Sequence, residues 1–189
     1  MLLELLNSLQ VFGKVYVEGL FEILKARKEK LNNINDNYAT INILTYSAII
    51  VFFSFAENIA ISIKRTLVKA NEASIISVGS KKKNEILNKD ERELSFEDMM
   101  KLTFSILPSI FGENNYYGSI KNKELSKLFF LRTIRNNAIH PKGIEDFLIS
   151  LKMLDGKDIN EPMIRYLESL RNVINICAKK LDTTNVTTS

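Results

Sequence analysis

Ile43-Leu44-Thr45-Tyr46-Ser47-Ala48-Ile49-Ile50-Val51-Phe52-Phe53-Ser54-Phe55-Ala56 is the stretch on which the fold turns. Apolar residues fill almost every helical phase, so a helix built from it has no face that prefers water. Such a helix belongs either in a bilayer or in the middle of a protein core. Fourteen residues fall short of the roughly 20 that a hydrocarbon layer requires. Glu57-Asn58 then interrupts the run before Ile59 to Ile63 resume it. The stretch therefore predicts the central helix of a bundle over roughly 39–69, with no membrane insertion.

The rest of the chain points the same way. Three prolines and seven glycines in 189 residues are too few turn formers for an all-β fold, and long runs of Leu, Ile, Lys, Glu and Asn favour helix. The expected fold is all-α, an up-and-down helical bundle of about five to six helices. Residues 1–181 are expected to form a single domain and 182–189 a disordered polar tail. The net charge of +4 is compatible with RNA or DNA but too small to argue for either. One cysteine, Cys177, excludes an internal disulfide and a multi-cysteine zinc site, and is expected to pack as a small hydrophobe. Glu4 stands where a signal peptide carries basic residues, and no small-residue cleavage site follows, so the expected location is cytoplasmic. No glycine-rich phosphate loop, internal repeat or sustained heptad pattern is present; no metal and no cofactor are expected.

Along the chain, residues 2–31 carry apolar side chains at helical spacing and turn basic at Lys25, Arg27, Lys28 and Lys30. A solvated face is the simpler reading of that cluster; phosphate contact is the sharper one. Residues 32–37 form a turn-rich break. Residues 71–94 read as an exposed connection with one short helix, and Lys81-Lys82-Lys83 as a solvated loop. Ser95 opens a helix with Asp98 in its first turn, which runs to Pro108. The loop from Phe111 to Gly118 carries Tyr116 and Tyr117, which either pack it against the bundle or stack on bases. A helix over 122–139 follows, then a short one from 144 to 154. A last helix begins near Glu161-Pro162.

Two charges fall on apolar stripes. Glu57 lies four residues from both Phe53 and Ile61. A carboxylate there either reaches water at a groove edge or pairs with a buried cation. Arg135 shares a stripe with Leu128 and Leu131, and Glu57 is its candidate partner. Pro141 disfavours helix at the preceding residue, so the helix should end near Ile139, just short of His140, the sole histidine. A guanidinium is a permanent forked phosphate clamp, and an imidazole moves protons near neutral pH. Taken as an isolated pattern, the pair could still be a surface histidine beside a helix end and a solvated arginine.

The segment Arg135-Asn136-Asn137-Ala138-Ile139-His140 resembles the signature of the HEPN superfamily, the helical domains named for higher eukaryotes and prokaryotes nucleotide-binding. Its hallmark is an arginine, usually followed by a polar residue, then a histidine four to six positions on, near the end of a late helix. The helix holding Glu57 is similar to a family helix that often carries an acid near the motif. The resemblance implies a metal-independent endoribonuclease of toxin–antitoxin or anti-phage defence type. Such an enzyme cleaves RNA by attack of the 2′-hydroxyl to leave a 2′,3′-cyclic phosphate. It also implies an HEPN-like bundle dimerising through this region, with a possible antitoxin or defence-system partner. Cleavage needs a base for the 2′-hydroxyl and an acid for the departing oxygen; a chain with one histidine meets this if a homodimer pairs two around one cleft. His140 would then handle protons, Arg135 stabilise phosphoryl charge and Asn136 orient an oxygen. Glu57, Asn137 and Lys142 would support them. Lys142 stands where some family toxins carry a modifiable tyrosine, which argues against that form of control. The alternative is a non-catalytic HEPN-like module that binds RNA, a nucleotide or a protein.

Overall fold

The long helix that the apolar run predicts is present, and it is longer than its pattern suggests. In a computed structural model, which describes residues 1–31, 34–113, 116–117, 122–139, 149, 152–154 and 158–186, the protein is all-α, with no strand among the described residues. Helix α1 is Leu2–Leu31 and α2 is Ile34–Glu72. Next come α3 (Lys81–Asn88), α4 (Phe96–Lys101) and α5 (Leu107–Ile110), then the longer α6 (Asn122–Ile139) and α7 (Asn160–Val186). Helix α2 begins at Ile34, inside the segment expected to be a break, and α7 continues to Val186, past the expected boundary at Leu181.

The chain divides into two compact units: Met1–Lys14, Ala56–Lys121 and Tyr166–Ser189 form the first, Val15–Phe55 and Asn122–Arg165 the second. Helices α1, α2 and α7 each contribute residues to both. In the second unit the core takes Leu20 and Leu24 from α1, Ile49, Phe52, Phe53 and Phe55 from α2, Leu128, Leu131 and Ile134 from α6, and Met163 from α7. Tyr16 stacks on Phe55 with ring centroids 5.3 Å apart. In the first unit Leu5, Leu6 and Leu9 of α1 are buried. So are Ile59, Ala60, Ile63 and Leu67 of α2, at the three- and four-residue steps of one helix face. Cys177 is buried as a small hydrophobe, and burial pushes its thiol up to about 12.

The segment Ala39–Glu72 is long and apolar enough to cross a membrane, but half of its most apolar window is buried within the protein. Buried core helices share that composition, and each buried side chain gains about 1.5–3 kcal/mol from leaving water. Ile43, 65% exposed, is the exception in the run.

Two helix junctions in the first unit follow from single residues. Ser95 caps α4: its hydroxyl accepts from the Asp98 backbone N–H, and Asp98 accepts from the Ser95 N–H in return. This is the reciprocal arrangement that the spacing predicted. The helix does not stop at Pro108. Residues Leu102–Ile106 widen into a π-helical turn, closed by the Leu107 N–H donating to the Leu102 carbonyl, and Pro108 occupies the first turn of α5. A proline ring clashes with the carbonyl four residues back and offers it no N–H; the wider turn is one way for a helix to pass such a residue. The carbonyl that Pro108 cannot serve, Phe104, instead accepts from the Tyr116 N–H at 2.8 Å.

Candidate functional site

The motif arginine is delivered by α6. Leu128, Leu131 and Ile134 are buried on that helix, and Arg135 follows directly, half-buried, at the edge of the apolar stripe. Its Nη1 donates to Oδ1 of the neighbouring Asn136 at 3.2 Å. That contact turns the carboxamide oxygen towards the cation and leaves the Asn136 NH₂ as a donor, so an exposed amide and a half-buried guanidinium present N–H groups side by side. Asn137 is half-buried. The helix extends to Ile139, as Pro141 led us to expect. His140, Pro141 and Lys142 lie outside the described residues, as does most of the short helix expected over 144–154.

The second unit holds a charge that sequence reasoning placed wrongly. Arg27, read with its basic neighbours as part of a solvated face, is 8% exposed, and its Nε donates to the Thr45 hydroxyl at 2.7 Å. Thr45 in turn donates to the Ile41 carbonyl at 2.7 Å. Burial lowers the Arg27 pKa, and the Asp158 charge partly offsets this. The signal was available: Arg27 continues the buried phase of Leu20 and Leu24, and Thr45 is a hydroxyl inside the most apolar run. Lys127 Nζ on α6 binds the Glu161 carboxylate on α7 at 2.8 Å and holds that acid below its usual range.

Glu57 lies on α2 in the first unit, half-buried, and Arg135 belongs to the second. The first unit also has a groove that the motif search did not anticipate. Ser169, Asn172, Asn175, Ile176 and Lys179, on successive turns of α7, line it together with Tyr116, and its volume is about 470 Å³. The loop bearing Tyr116 is pinned twice, by the Tyr116 N–H on the Phe104 carbonyl and by Glu113, whose carboxylate binds Lys180 at 3.2 Å. Tyr117 is half-buried beside it, and burial raises its pKa. Lys81 and Lys82 are exposed in the first turn of α3 rather than in a loop, while Lys83 donates to the Ser109 hydroxyl at 2.7 Å.

No known protein family, curated protein or solved structure is detectably similar to this chain.

Proposed function

We propose that this protein is a metal-independent endoribonuclease of HEPN type, acting as a homodimer in the cytoplasm, in a toxin or anti-phage defence setting. The observation that carries the reading is the half-buried Arg135 coupled to Asn136 in the last turns of α6, just after its buried stripe of Leu128, Leu131 and Ile134, five residues before the sole histidine of the chain. In the reaction, a His140 imidazole accepts the 2′-hydroxyl proton as O2′ attacks the adjacent phosphorus. The bond to O5′ breaks, and O5′ takes a proton from a second imidazole, one that is protonated (imidazolium) and supplied by the partner chain. The products are a 2′,3′-cyclic phosphate and a 5′-hydroxyl. Arg135 offers fixed positive charge to the non-bridging oxygens as they gain charge, the kind of preorganised stabilisation whose loss costs about a hundredfold or more in rate. Asn136 donates to one of those oxygens.

The test is incubation of the purified protein with mixed RNA in EDTA, followed by end-group analysis. Cyclic-phosphate ends are expected, and they should disappear in Arg135→Ala and His140→Ala while helicity and melting persist. Cleavage unchanged in either variant overturns the reading, and binding without cleavage assigns the chain to non-catalytic RNA recognition.

A further inference from the structure

We infer that the groove between Tyr116 and α7 in the first unit binds a nucleotide through its base, either free or as an unpaired residue of an RNA strand. Its lining has four features that select this chemistry. First, the volume of about 470 Å³ matches a small organic ligand, within the usual range of about 300–1,000 Å³. Second, the polar groups on the α7 side are Ser169, Asn172 and Asn175, two of them carboxamides. Each carboxamide carries a donor pair and an acceptor a fixed distance apart, which is the pattern of a base edge. Third, among the described residues the lining includes the cation Lys179 and no carboxylate, so an attached phosphate finds a charge that attracts it. Fourth, the lining includes Tyr116, an aromatic residue of the kind on which unpaired bases stack.

The arrangement is preformed. Asn172, Asn175 and Lys179 project from one face of a continuous helix. Tyr116 is anchored by the hydrogen bond that Pro108 makes available at the Phe104 carbonyl, and the Glu113–Lys180 pair holds the other end of its loop to α7. Lys180 is thus engaged in holding the wall, and Lys179 lines the groove. Tyr116 is held at the groove before a ligand enters, which lowers the cost of binding. The groove uses none of the proposed catalytic residues.

The experiment is fluorescence anisotropy of the full chain with 2′-O-methyl oligonucleotides of about twelve nucleotides, a length within the range of single-strand sites. Such probes lack the attacking hydroxyl, so they report binding whether or not the chain cleaves RNA. Asn172→Asp and Asn175→Asp are expected to weaken binding about tenfold each, the scale of one lost base contact. Tyr116→Ala should weaken it by about tenfold through lost stacking. Lys179→Gln should flatten the dependence of log affinity on log salt by about 0.7, the value for one phosphate on a single strand. Asn172 and Asn175 are exposed, so their variants should fold normally even if Tyr116→Ala does not; melting curves check this. Competition by AMP, UMP or CMP identifies the free nucleotide as occupant, and competition by oligomers alone identifies the strand. Affinities of both Asn→Asp variants within about twofold of the parent, against the loss expected for a base contact, would overturn the inference. So would loss of all probe binding in Arg135→Ala, because the probe would then be held at the motif.

Discussion

Asp98 accepts from three groups at once: the Ser95 backbone N–H at 3.0 Å, the Ser95 hydroxyl at 2.8 Å and the Lys89 ammonium at 2.7 Å. Burial alone would raise its pKa, but these bonds outweigh burial and hold it below the usual carboxylate range. A carboxyl depressed in the folded state stabilises the fold above its unfolded pKa of about 3.9 and loses that contribution as pH falls through the folded value. Asp98→Asn should therefore melt below the parent at neutral pH, by about 1 kcal/mol of stability typical of a lost cap. The two melting temperatures should converge as the pH falls through the depressed folded-state value; a constant gap would refute the assignment. At this scale the sequence was readable where the partner is close. Ser95 and Asp98 are three apart, and helix geometry alone brings them together. Arg27 was misread because the local run of basic residues was weighed above its helical phase, while its partner Thr45 is eighteen residues away.

The ends of the helices carry their own signals. Helix α5 closes with the Glu113 N–H on the Pro108 carbonyl and the Gly112 N–H on Ser109, and Gly112 takes φ +70°. That is the left-handed closure that glycine adopts without penalty. Helix α2 ends on the same pair of bonds, Ile75 to Ala70 and Ser74 to Asn71, but the left-handed residue is Ser74 at φ +57°. A non-glycine residue there costs about 1–2 kcal/mol, against about 0.4–1 kcal/mol for the extra unfolded-state freedom of glycine. The balance favours glycine, so Ser74→Gly should raise stability by about 0.5 kcal/mol in denaturant titration; a lower midpoint would count against the closure. The loop from Phe111 was legible in the sequence, but the stop itself was placed at Pro108 rather than at Gly112. The α2 stop was not legible, because serine marks many positions besides this one. Pro108 was read as a terminus by the ordinary rule, and the π-helical turn that lets the helix pass it has no comparable mark in composition.

For the molecule as a whole, all-α character was legible from the scarcity of turn formers and the length of the apolar run. The division into two units was not, since no Pro- or Gly-rich linker marks it and three helices contribute to both. The Arg135 motif was found because its residues are adjacent in sequence, whereas the groove at Tyr116 joins residues more than fifty positions apart. One prediction belongs to this scale. If cleavage takes one imidazole from each of two chains, adding His140→Ala protein to the parent should depress activity faster than dilution does, because mixed dimers lack one proton carrier. Proportional loss would place the complete reaction on one chain.

The division of the chain also bears on its synthesis. The first unit draws its core from Leu5, Leu6 and Leu9 and from Tyr166, Leu170 and Val173, so its earliest-made residues wait for some of its latest. A nascent chain released from the ribosome only up to residue 150 would leave Leu5, Leu6 and Leu9 without the α7 part of their core, and such exposed apolar surface invites chaperones. The same interleaving governs inheritance: no cut at one point in the gene transfers either unit intact.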